Sequence, residues 1–237
     1  MLPHVHLKKN AYLCNMKDLN ETAQQTATFL LQVKAIKLNS EHPFTWASGR
    51  KSPIYCDNRV TLSYPEVRTF IRQRFVDIIK ENYGENIDMI AGVATGGIAQ
   101  GALVAQELGK PFCYVRSEAK SHGLTNQIEG EVHSGQTVVV IEDLVSTGKS
   151  SLVAVRALRE KGLVVKGMVA IFTYGLEVAR KNFEEADVEL YTLSEYDTLI
   201  QVARKEEYVH PDQMETLAGW RHNPEQWSIE HGEETAK

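Results

Sequence analysis

Five short apolar runs separated by stretches of helical length constrain this chain more than any other feature. They are Ile87–Val93, Pro111–Val115, Val138–Ile141, Val164–Phe172 and Val188–Tyr191. Each run is nearly continuous in apolar side chains rather than alternating with polar ones, which is the pattern of a strand buried on both faces. Strands of this kind alternating with helices specify an α/β fold: a parallel, twisted sheet flanked by helices. Ligands in such sheets bind beyond the carboxyl ends of the strands. That edge collects Ala94–Gly97, the segment after Val115 and the turn after Asp143.

The flanking segments predict a smaller N-terminal element. Residues 18–37 read as an amphipathic helix, with Leu19, Ala23, Ala27, Leu30 and Val33 at spacings of three and four and Asp18 as its cap. Gly49 and Pro53 predict a turn between two short strands within 44–57. Pro65 opens a second helix that buries Val67, Phe70, Ile71, Phe75, Ile78 and Ile79. Segment 116–134 breaks the rhythm: it is polar, contains Gly123 and Gly130, and has no clear periodicity. A loop of that length in a compact domain is functional or disordered. The expected organisation is one domain over 17–222 with a hood segment at 40–60 and a mobile loop at 116–134. Residues 1–16 read as an extension, disordered or not native, with Met16 as the expected start, and 223–237 as a polar, frayed tail.

Composition narrows the partners. At 43% hydrophobic and 24% charged residues, the chain is an ordinary globule. Its net charge of −5 and the lack of a helix-turn-helix pattern before residue 40 give no basis for nucleic acid or an anionic membrane as partner. An anionic substrate therefore needs a local basic site. No apolar run approaches membrane-spanning length, and the first 15 residues lack the apolar core of a signal peptide. Cys14, Cys56 and Cys113 are odd in number with no CxxC spacing, which argues against a disulfide framework or zinc site and makes the cytoplasm the expected location.

The chemistry concentrates in Val138-Val-Val-Ile-Glu-Asp-Leu-Val-Ser-Thr-Gly-Lys-Ser150. A buried strand delivers Glu142 and Asp143, and a turn rich in hydroxyls and glycine leads into a helix near Lys149. Unpaired N–H groups and the positive dipole end of that helix suit a phosphate, with Ser146, Thr147 and Ser150 as further donors and Gly148 allowing close approach. Two carboxylates facing a phosphate would repel it. They make better sense against a neutral diol, so the turn reads as a cradle for ribose 5-phosphate. A nucleoside-triphosphate loop is excluded because Asp143 stands where that motif needs glycine.

This stretch resembles the 5-phosphoribosyl-1-diphosphate (PRPP) signature of the type I phosphoribosyltransferases: an apolar strand, two acidic residues and a small-residue turn with Thr-Gly. Tyr114-Val-Arg-Ser-Glu-Ala-Lys-Ser-His-Gly123 resembles the mobile catalytic loop of the orotate phosphoribosyltransferases, and 44–59 their hood hairpin. The resemblance implies transfer of phosphoribose from PRPP to orotate, giving orotidine 5'-phosphate and pyrophosphate in pyrimidine biosynthesis. It implies PRPP contacts across Glu142, Asp143, Leu144, Val145, Ser146, Thr147, Gly148, Lys149 and Ser150, with Ser146 also holding orotate. Arg116, Lys120 and His122 would bind the diphosphate, Lys120 and Asp143 being catalytic. It further implies Mg²⁺ carried by PRPP without strong direct protein ligands, and a homodimer whose loops reach across the interface. Lysines frequent in that family are replaced by Ala47 and Gly96, a basic loop residue by Ser117, and an arginine after the fourth strand by Thr173-Tyr174. Another base phosphoribosyltransferase and a PRPP-sensing regulator stand as alternatives on the same fold.

Overall fold

The computed structural model describes residues 20–46, 48–84, 86–116 and 127–232. Helix α1 covers residues 20–32. The expected helix over 18–37 is therefore shorter: Lys34 adopts φ +57, which ends it, and Ile36 already pairs with Cys56. β1 (Ile36–Leu38) is antiparallel to β4 (Ile54–Cys56), and β2 (Phe44–Thr45) to β3 (Lys51–Ser52). A 3₁₀ turn, Asn58–Ser63, leads into α2 (Pro65–Tyr83), whose proline is at the N-terminus as expected.

The main sheet contains β5 (Met89–Val93), β6 (Phe112–Val115), β7 (Ile128–Glu129), β8 (Thr137–Val145), β9 (Val164–Thr173) and β10 (Leu190–Glu195). Their spatial order is β10-β9-β8-β5-β6-β7, parallel throughout except for β7, which runs antiparallel to β6. The connecting helices are α3 (Gly96–Leu108), α4 (Lys149–Glu160), α5 (Glu177–Glu185) and α6 (Tyr196–Lys205). After them come α7 (Met214–His222) and α8 (Pro224–Glu230).

The near-continuous apolar runs have the predicted cause. Val139, Ile141, Val169 and Ile171 pack on one face with residues of α1, α2, α3, α6 and α7. Val138, Val140, Met168 and Ala170 pack on the other with α4 and α5. Side chains alternate across a strand, so a strand covered on both sides must be apolar at every position.

Three boundaries differ from the sequence reading. β10 is shifted to Leu190–Glu195 because it is an edge strand whose polar Thr192, Ser194 and Glu195 mask it from a search for apolar runs. The far end of segment 116–134 is tied to the sheet: β7 pairs with β6, and Arg116 and Gln127 exchange hydrogen bonds. Residues 223–232 are not a frayed tail either. Asn223 caps α8 with its side chain, Trp227 is buried, and the buried Ser228 hydroxyl accepts from Lys51 N at 2.7 Å. Truncating a buried tryptophan costs about 3 kcal/mol, so this helix stabilises the β2–β3 hairpin rather than trailing from it.

Candidate active site

The acidic strand β8 runs four residues beyond Ile141, because β9 continues alongside it to the Val145–Thr173 pair. Extended backbone then sends neighbouring side chains to opposite faces. Glu142 lies on the α4 side, almost fully buried, with its carboxylate accepting from Ser151 Oγ at 2.8 Å and from Asp143 N at 2.9 Å. Asp143 lies on the α3 side and is half-buried, its carboxylate filling the space that a Cβ on Gly96 would need. Gly96 is thus matched to the position of Asp143. The next residue, Gly97, lets the start of α3 press onto the Ile141 carbonyl.

Two turns and the end of β8 meet at this edge of the sheet around a cavity of about 280 Å³. The β5–α3 turn contributes Val93, Ala94 and Thr95, with a cis peptide between the last two. β8 contributes Glu142, Asp143 and Leu144, and the turn into α4 contributes Ser146, Thr147, Gly148 and Ser150. Gly148 has φ +78 and is the N-cap of α4, so the first free amides of a 12-residue helix open onto the same turn. α5 braces this turn: Asn182 donates to the Thr147 carbonyl at 2.8 Å, and the Phe183 ring occupies the side of Gly148 where a Cβ would project.

A second cavity, of about 230 Å³, adjoins the first and shares Leu144 and Ser146 with it. Its other walls are Trp46, Tyr55, Cys56 and Tyr174. Trp46 stacks on Tyr174 with ring centroids 5.6 Å apart, and both meet the fully buried Trp220 edge-on. The Trp46 indole donates to the Ile54 carbonyl at 3.1 Å, fixing its plane. Asn58, also buried, donates to the Asp143 carbonyl at 2.6 Å and ties the hood to the acidic strand. Burial pushes the Tyr174 hydroxyl and the Cys56 thiol well above their ordinary pKa values, so both are neutral at physiological pH.

Most residues singled out in the sequence converge here. Glu142, Asp143, Leu144, Ser146, Thr147, Gly148 and Ser150 line the first cavity. Val145 is instead fully buried in the core, and Lys149 opens onto an outer groove between α4 and α5. Arg116, at the end of β6, has its guanidinium 3.7 Å from Glu129. Lys120, His122 and Ser117 lie outside the described residues, as does Ala47. Thr95 lies in the Ala94–Gly97 segment expected at this edge, whereas sequence reasoning missed Asn58, Asn182 and the Trp46–Tyr174 stack, none of which carries a local pattern.

The electrostatics of the acidic pair make a testable statement. Burial first, and then the charge of Asp143, raise the Glu142 pKa well above the ordinary 4.5. Below about pH 4.5 the folded and unfolded chains both hold this proton and there is no penalty. As pH rises, the unfolded chain releases the proton first, and the folded state loses stability relative to it. Glu142→Gln should therefore stabilise the protein more at pH 8 than at pH 5 in urea unfolding. An equal difference at both values would show that the fold does not raise the Glu142 pKa.

Comparison with known proteins agrees with this geometry. A family model described as a phosphoribosyl transferase domain matches residues 63–190. The orotate phosphoribosyltransferase of Porphyromonas gingivalis is 54% identical over 203 residues, covering 86% of this chain and 96% of the relative. The solved orotate phosphoribosyltransferase from Aeropyrum pernix is 29% identical with a TM-score of 0.64, covering 78% of this chain and 99% of that one. Leishmania donovani UMP synthase shares the fold at 24% identity and a TM-score of 0.70, covering 84% of this chain and 42% of that longer protein. With its acidic strand, hydroxyl-rich turn and matched extent, the chain belongs to the orotate phosphoribosyltransferase family.

Proposed function

We infer that the chain is a pentosyltransferase that transfers the 5-phosphoribosyl group of PRPP to orotate, giving orotidine 5'-phosphate and pyrophosphate. The observation that carries this reading is the adjacency of the two cavities. One has hydroxyls, a helix N-terminus and a partly exposed carboxylate, and the other is a slot between aromatic rings. The phosphate of ribose 5-phosphate fits the turn Ser146–Ser150, where amides and hydroxyls converge. Asp143 orients the ribose hydroxyls and stabilises positive charge growing on the ring, while Glu142 is the buried prop beneath it. The flat base enters between Tyr55 and the Trp46–Tyr174 stack, with Ser146 holding its polar edge. Catalysis is then mostly positioning and charge stabilisation.

Mg²⁺ fits this donor set as a substrate-borne ion. One partly exposed carboxylate, with Glu142 occupied by Ser151, is not an octahedral protein cage. When bound, the ion neutralises the departing diphosphate. Arg116, Lys120 and His122 grip that diphosphate, and in the proposed homodimer their loop serves the partner's cavity. No helix among the described residues is long and apolar enough to cross a membrane, and the free, sheltered thiols of Cys56 and Cys113 suit the proposed cytoplasmic setting.

The test is to supply PRPP and Mg²⁺ with orotate, adenine, hypoxanthine or uracil in turn and to follow pyrophosphate. Orotate should be consumed and the others should not. Equal turnover of any of them would sink the assignment.

A further inference from the structure

The two cavities pose a charge problem. Orotate carries a carboxylate, yet neither cavity has a lysine or arginine among its described lining residues. A binding site without a cation would desolvate that carboxylate uncompensated, which is strongly unfavourable. A cation on the rim, close to the aromatic slot, would supply the missing charge.

Arg59 has the required position. It follows Asn58, whose side chain is bonded to the Asp143 carbonyl, and comes three residues after Cys56 of the slot wall. Its guanidinium is within electrostatic reach of both Asp143, which lines the first cavity, and Tyr55, which lines the second. Asp57 holds it by one edge of its fork: Nε donates to Oδ1 at 2.7 Å and Nη2 to Oδ2 at 2.9 Å. Asp57 also caps the 3₁₀ turn by accepting from Arg59 N at 3.2 Å, so the arginine is anchored at both ends. No hydrogen bond within the described residues uses its Nη1. The Nη1–Nη2 edge presents two parallel donors, the geometry that receives a carboxylate in bidentate fashion. The side chain is 58% exposed and belongs to no core cluster, so it is placed to meet a ligand rather than to hold the fold.

We propose that Arg59 recognises the carboxylate of orotate and is a specificity-determining residue for the transfer, with Asp57 as the residue that positions it. This rests on the functional reading above and adds to it the group that separates orotate from uracil, which has the same ring without the carboxylate.

Kinetics of Arg59→Gln and Arg59→Lys, with orotate and uracil as acceptors, test the proposal. KM is measured for orotate and PRPP, and a competitive inhibition constant for uracil. Arg59→Gln should raise the KM for orotate about 10- to 100-fold, the loss expected for a charged hydrogen-bonding pair. The constants for uracil and PRPP should stay within about twofold of their starting values, so discrimination falls by the factor lost on orotate. Arg59→Lys should recover part of it, since charge is restored without the fork. An unchanged ratio of orotate to uracil binding overturns the proposal. So does a parallel weakening of both bases, which would mark Arg59 as a prop for the hood. If the unsubstituted chain does not turn over orotate, the functional reading itself fails, and this inference with it.

Discussion

Asp143→Asn is expected to lower kcat/KM for PRPP by about 10²-fold or more, the scale on which mispositioned reactants lose rate. The substituted protein should be as stable as the parent or slightly more so. Asp143 is half-buried at the ligand edge, and its charge disfavours ionisation of the buried Glu142 beside it. Removing that charge relieves the fold while depriving the ribose of its proposed carboxylate partner. An unchanged kcat/KM in a folded variant would reduce Asp143 to a strand-end ornament of the turn. The same variant tests the proposed sharing of the loop between subunits of a homodimer. Mixed with Lys120→Ala under conditions of subunit exchange, about half the dimers become mixed and roughly a quarter of all sites become whole, provided Lys120 acts across the interface. No recovery after exchange confirmed by a mass tag would confine each loop to its own subunit.

Gly97→Ala should cost about 3 kcal/mol, the upper range for forcing atoms into a packed core. The Cβ would overlap the Ile141 carbonyl oxygen, which belongs to β8 in the middle of the sheet and cannot rotate away. The start of α3 would have to lift, taking the β5–α3 turn out of the first cavity. Gly219→Ala is the comparison. It lies within α7 with nothing near its Cβ position, so alanine should gain up to about 1 kcal/mol from helix propensity. Denaturant midpoints for the two variants should therefore move in opposite directions. Equal shifts would mean that the close approach of α3 to β8 does not hold in solution.

The parallel sheet was legible because burial on both faces demands nearly continuous apolar runs, and Ile87–Val93 and Val164–Phe172 are interrupted by charge only at Asp88 and Lys166. The hydroxyl-rich turn was legible for a similar reason: its acidic pair, hydroxyls and Gly148 are contiguous, so one segment holds most of a cavity wall. β10 was misplaced because edge position relaxes the apolar demand. The C-terminal helix was missed because its polar sequence conceals two inward residues, Trp227 and Ser228, whose burial depends on the hood lying beneath them.

By itself the sequence determined the fold class, the hydroxyl-rich strand-to-helix turn and the residue types available there, since each depends on neighbours within about ten positions. The tertiary structure decided how those residues are used. Strand pairing carried β8 past its acidic residues and sent Glu142 toward Ser151 and Asp143 toward Gly96. The meeting of the hood with the end of β9 brought Trp46 onto Tyr174, 128 positions apart in sequence. The bond from Asn58 to Asp143 spans 85 positions. Such contacts form only when the whole sheet is assembled, because the pairing of distant strands, rather than any local preference, sets which side chains share a cavity.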